Sequence, residues 1–99
     1  MFPFRIFKID GDSMTPALLR GDFVLAWRFG KLRPGDLIVL HHPNEQGKIL
    51  IKRLTAEPEP GKFFVEGDNS SSSTDSHTFG TVSEEHIWGK VIAVFRKQK

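Results

Sequence analysis

A mostly β fold, a small sheet curled into a partly closed, barrel-like shape with one short helix, is what this 99-residue sequence predicts. Two observations lead there. The dipeptide Gly-Asp occurs four times, at Gly11-Asp12, Gly21-Asp22, Gly35-Asp36 and Gly67-Asp68, each beside an apolar, β-branched or aromatic run. That is turn punctuation between strands. Helical signal, by contrast, is confined to "TPALLRG", where Thr15 suits an N-cap, Pro16 the first helical position and Gly21 a terminator, over one or two turns. Short strands in this number hide their edges by curling.

In chain order, strands are expected at Phe4 to Ile9, Phe23 to Trp27, Leu37 to His41, Ile49 to Leu54, Phe63 to Glu66 and His86 to Phe95. Phe2, Phe4 and Phe7 are expected in the core. Pro34-Gly35 suits a type II turn, because proline presets the first central residue and glycine accepts positive φ at the second. "HHPNEQGKILIKRL" is a hairpin with its tip near Asn44 to Gly47, and Glu57-Pro58-Glu59-Pro60-Gly61 is expected as a stiff surface loop.

Composition narrows the function classes. The length allows a single domain, residues 1–99, and an apolar fraction of 38% supports one modest core. Lys plus Arg number 14 against 12 Asp plus Glu, a surplus too small to mark a nucleic-acid partner. The absence of cysteine excludes a disulfide framework, a thiolate metal site and a cysteine nucleophile. Of the four histidines, His41 and His42 point to opposite faces of a strand, while His77 and His86 lack an i, i+4 partner, so neither a metal site nor a cofactor is expected. "MFPFRIFKID" carries Arg5, Lys8 and Asp10 where an export signal would keep an apolar stretch, and no run is long enough to span a membrane. A cytoplasmic location follows as the expectation, with room for peripheral membrane contact.

Ser13 lies between a glycine-containing turn and the expected short helix, where unpaired backbone N–H groups could stabilise an oxyanion. An isolated serine there more often decorates a turn, and it has no base beside it in sequence. The strand "KILIKRL" offers one. Period-two alternation puts Leu50, Lys52 and Leu54 on one face and Ile49, Ile51 and Arg53 on the other, so each face carries a cation. Alternation alone leaves open which of Lys52 and Arg53 points inward, and a snorkelling lysine is the commoner outcome. A buried lysine loses its proton more readily and can take one from a serine; arginine stays charged.

Four segments resemble, in order, the bacterial signal peptidase I family of membrane-associated Ser-Lys endopeptidases. "GDSMTPALLRGDFVLA" is similar to the nucleophile box, "LRPGDLIVLHHP" to the next strand box, "IKRL" to the box that supplies the base, and "GDNSSSSTDSHTFGTV" to the last box. The resemblance implies that Ser13 is the nucleophile and contributes its backbone N–H to the oxyanion hole, and that Lys52 is the general base. It implies that Ser73 orients the Lys52 amine, that Asp75 ties down the surrounding loop, and that Gly11 and Met14 lie at the substrate. The implied partner is a protein carrying a leader or propeptide.

The sequence also departs from that pattern. His77 stands where many members have arginine, which makes an ion pair to Asp75 pH-sensitive or abolishes it. Gly11 replaces a serine that some members use at the oxyanion. Only fourteen residues separate Lys52 from Gly67, so the chain resembles the catalytic core without the large insertion or the membrane-spanning N-terminus. In form it is similar to small soluble members, the maturation proteases associated with nickel-type superoxide dismutase. Self-cleaving Ser-Lys proteins of the LexA and UmuD type share the Ser-Met and lysine features but not the Gly-Asp-Asn box. Two rival readings are a catalytic subunit that acts at a membrane through a separate anchor, and a non-catalytic β module binding peptide or nucleic acid.

Overall fold

A computed structural model describes residues 2–72 and 74–96 of the chain. Among them seven strands form one antiparallel sheet: β1 Phe4–Lys8, β2 Phe23–Trp27, β3 Leu37–His41, β4 Ile49–Glu59, β5 Lys62–Glu66, β6 Val82–Ser83 and β7 Ile87–Phe95. A single four-residue α-helix, α1, spans Ser76–Phe79. The order across the sheet is β1-β2-β7-β3-β4-β5-β6, and the described ladder is not closed on itself. The mostly β class holds.

Long β7 is the spine. It pairs with β2 on one side and β3 on the other, with a register shift beside Leu25/Ala26 and another beside Val39/Leu40 that bend the sheet. Gly89 sits where β7 crosses β2, and any Cβ there would collide with the Trp27 carbonyl. The bent sheet wraps three apolar groups. Ile38, Leu40, Leu50, Leu54, Phe63, Val65 and Val82 fill one, Ile9, Met14, Leu18 and Val24 a second, and Ala26, Val39 and Trp88 the third.

Four expectations need correcting. No helix forms over 15–21; Thr15-Pro16 is a cis peptide within a run of turns. The chain is recruited elsewhere: Ile9 N–H bonds to Asp22 O and Gly21 N–H to Ile9 O, both at 2.8 Å, while Met14 and Leu18 bury their side chains. A helix of one or two turns has too little intrinsic stability to resist such anchoring. The helix lies instead at α1, where Asp75 caps the His77 N–H and Gly80, at φ 80°, ends it.

The segment Glu57 to Glu59 is strand rather than loop, since β4 runs on to a Pro60-Gly61 turn against β5. Pro58 is tolerated because the pairing is irregular between Ala56 and Glu59. The pair Val82–Ser83 adds a strand too short to show periodicity. Phe2 and Phe4 are exposed at 75% and 38% instead of buried, while Phe7 is half-buried against Trp88. Register explains the difference. With Val24 and Ala26 buried, Trp27 and Leu25 face outward, and Phe4 and Ile6 stand opposite them.

Candidate active site

Strand β4 answers the question that alternation left open. Leu50, Lys52 and Leu54 are the buried set, and Lys52 is only 3% exposed. Arg53 projects from the other face and grips Asp68 with two parallel bonds, Nε to Oδ1 at 2.9 Å and Nη2 to Oδ2 at 2.8 Å. Its Nη1 donates to Gly35 O at 2.8 Å. Adjacent cations therefore have opposite employments: Arg53 is held in a fixed fork, and Lys52 is desolvated.

Burial pushes the Lys52 amine below its ordinary pKa, and the nearby Lys48 cation acts in the same direction. The Asp75 carboxylate works against both by favouring the charged amine. Desolvation is the largest of the three, so neutral amine is more accessible near neutral pH than for a surface lysine.

Ser13 is half-buried on the turn that follows β1. The loop after β5 carries the Gly67-Asp68-Asn69 box onto this turn: Asn69 N–H donates to Ser13 O at 2.8 Å, and its side-chain amide donates to Asp12 O and Thr15 Oγ1, each at 3.0 Å. Asp68 N–H meets the Met14 sulfur at 3.4 Å. From the outer side Arg20 bonds Asp10 O at 2.7 Å and the Asp12 carboxylate at 3.0 Å. The turn that carries Ser13 is thus braced by Asn69 and Arg20, with Ser13 itself half-buried.

A groove of about 440 Å³ joins these pieces, lined by Ser13 and Lys52 together with Gly11, Met14, Lys48 and Leu50. Gly11 leaves open space, since an added Cβ would meet nothing within 4 Å. Met14 is 2% exposed and belongs chiefly to the core, so only its edge reaches the groove. Asp75 is buried; Oδ2 accepts Gly67 N–H and Oδ1 accepts His77 N–H, both at 3.0 Å. The His77 ring faces Asp75 at 3.0 Å, so the pair to Asp75 exists. Ser73, expected to orient the amine, lies outside the described residues. Among the described residues no group of three or more His, Asp or Glu side chains is placed to hold a metal ion.

Sequence reasoning missed the parts of this site that act between boxes. Arg53 was legible as the alternative to Lys52, and Asp68 as a turn residue and part of the last box; the fork between them needs the register of β4 against the returning loop. Asp68→Ala should cut kcat about tenfold to a hundredfold through misplacement of the Ser13 turn. Its melting temperature should fall by only about 4–8 °C, because a half-exposed pair contributes about 1 kcal/mol. Steady-state kinetics beside a thermal melt check both halves.

Comparison with known proteins adds a second line of support. The family model described as signal peptidase, peptidase S26, matches residues 1–59 and 57–96. The mitochondrial inner membrane protease subunit 2 of Schizosaccharomyces pombe is 36% identical over a stretch covering 87% of this chain and 61% of its own length. The protein of the same name from Saccharomyces cerevisiae is 33% identical, covering 91% and 67%. Signal peptidase I of Bacillus caldolyticus is 28% identical, covering 92% and 79%. The chain spans about two thirds of the length of the two yeast relatives.

Proposed function

The chain belongs to the signal peptidase family, peptidase S26, and on that premise we propose that it is a serine endopeptidase removing a leader or propeptide through a Ser13/Lys52 dyad. One observation carries the reading: a lysine buried between two leucines, its amine biased toward neutrality, lines the same groove as a serine held on a braced turn. Neutral Lys52 takes the proton from Ser13 Oγ as that oxygen bonds to the scissile carbonyl carbon. The Ser13 backbone N–H faces the oxyanion. Collapse breaks the C–N bond as Lys52 Nζ gives the proton to the leaving amine; neutral Lys52 then takes a proton from the attacking water and passes it to Ser13 Oγ as the acyl–oxygen bond breaks.

No cofactor enters this cycle, and residues 1–99 act as one catalytic domain. The substrate is an extended segment in the groove, with small residues before the cut by analogy with the family. Incubation with a peptide spanning a leader–mature junction tests this by mass spectrometry. Two products from a single internal cut are expected; an intact peptide after long incubation in both plain buffer and lipid vesicles overturns it.

A specific observation also favours action at a membrane surface. Phe2, Phe4, Trp27 and Phe29 form a run of ring contacts on the outer face of β1 and β2, at centroid separations of 6.1, 4.7 and 5.8 Å. Ile6 at 61%, Phe29 at 66% and Phe95 at 52% exposure extend the apolar surface, and Lys8 lies at its margin over Phe23. Aromatic rings with flanking cations suit the headgroup layer. Among the described residues no helix is long and apolar enough to cross a membrane. Cosedimentation with anionic vesicles is expected, and Ile6→Glu with Phe29→Glu should abolish it; wild-type protein left in the supernatant would rule this setting out.

A further inference from the structure

The His77 ring is placed between two carboxylates, with Nδ1 at 3.0 Å from Asp75 Oδ1 and Nε2 at 3.2 Å from Glu66 Oε2. The Phe64 ring meets it edge-on at 5.3 Å. One of the carboxylates looks two ways: Asp75 is buried, caps α1, and acts electrostatically on the Lys52 amine. The ring itself is largely solvent-exposed, so protons reach it freely. An imidazole changes charge between about pH 5 and 8, the range in which a lysine base at Ser13 would have to work.

We propose that His77 is a positioning residue for the Lys52 amine, acting through Asp75, and that its proton decides how far toward acid pH the amine remains available as a base. This rests on the Ser13/Lys52 reading. When the ring is neutral, the Asp75 charge is directed at Lys52 and holds a proton on it. When the ring is protonated, it shares that charge, and the amine gives up its proton more easily. A proton on the ring thus weakens the hold of Asp75 on the proton of the amine.

Other charged side chains among the described residues stand close to these groups. Lys48, from the β3–β4 hairpin, opposes a proton on Lys52. Glu66 of β5 lies at the outer ring nitrogen of His77. Asp68, on the intervening loop, is engaged by Arg53 of β4.

His77→Gln removes the switchable charge and His77→Arg makes it permanent, both at an exposed side chain whose loss leaves the cap of α1 in place. The readout is the titration of the Lys52 13Cε signal by NMR, assigned by its absence in Lys52→Met. The midpoint is expected higher in His77→Gln than in His77→Arg by about half a pH unit, since solvent screens part of the coupling. In an Asp75→Asn background the two replacements should coincide. The acid limb of kcat/KM should move with the midpoint. Identical Lys52 midpoints in the two variants overturn the inference, even if cleavage is normal. A midpoint that responds in a protein that cleaves nothing supports the coupling and sinks the protease reading alone.

Discussion

Ser13→Ala should eliminate peptide cleavage, lowering kcat/KM by about 10⁴-fold or more, because the proposed acyl intermediate forms on Ser13 Oγ. The fold should not register the change. What holds the turn are bonds that alanine keeps: the Ser13 carbonyl still accepts from Asn69 N–H, and Asn69 still reaches Asp12 and Thr15. Ser13 is only half-buried, so removal of its hydroxyl leaves no core cavity, and stability should move by no more than about 0.5 kcal/mol. Kinetics paired with a thermal melt checks this; activity within tenfold of wild type would contradict it.

The second large effect belongs to Lys52. Lys52→Met keeps the length and apolar stem of the side chain, between Leu50 and Leu54, while deleting the group proposed to take and return the proton. Cleavage should fall as far as with Ser13→Ala, yet stability should rise by about 1 kcal/mol, since a desolvated cation is replaced by an apolar group. The pH dependence gives this gain a sign. Burial lowers the folded-state pKa of Lys52 below its unfolded value, so in the window between the two the unfolded chain binds more protons and wild-type stability rises with pH. The advantage of methionine is therefore full below the folded-state pKa and vanishes as pH climbs to the ordinary lysine range. Denaturant titrations at several pH values measure it; an advantage that grows with pH would show that Lys52 is not a desolvated base. With Lys52 as the proposed base, wild-type activity should fall as pH drops through the folded-state pKa of Lys52.

Most of the sheet was legible in the sequence because its signals are local. The bounds of β2 and β3 match expectation to the residue, since each is an apolar run between turn residues. Gly35 adopts φ 102° and Asp36 N–H bonds Arg33 O, as a Pro-Gly turn requires. Signals failed where tertiary contacts decide. "TPALLRG" has every mark of a helix start and stop, but Met14 and Leu18 are committed to the core. Asp75 and Gly80 bound the actual helix, and their marks were hidden inside a motif read for chemistry. The outward turn of Phe2 and Phe4 was invisible for another reason. A phenylalanine signals burial wherever it stands, and only pairing with β2 shows which face it takes.

The candidate site divides along the same line. Motif spacing singles out Ser13 and Lys52 as the proposed pair, whereas the inward orientation of Lys52, left open by alternation, comes from its burial on β4. The Arg53–Asp68 fork, the Asn69 bonds to the serine turn and the His77 contact with Glu66 join residues distant in sequence or on separate elements. No periodicity within one segment could have found them.

The dyad itself is most directly tested by trapping the acyl group. A reaction with an activated peptide ester is quenched in acid at early times, and the protein is digested and mapped by mass spectrometry. One acyl adduct is expected on the peptide containing Ser13, present in the wild type and lost in both Ser13→Ala and Lys52→Met. An adduct on another residue, or equal acylation of Ser13 with methionine at position 52, would contradict it.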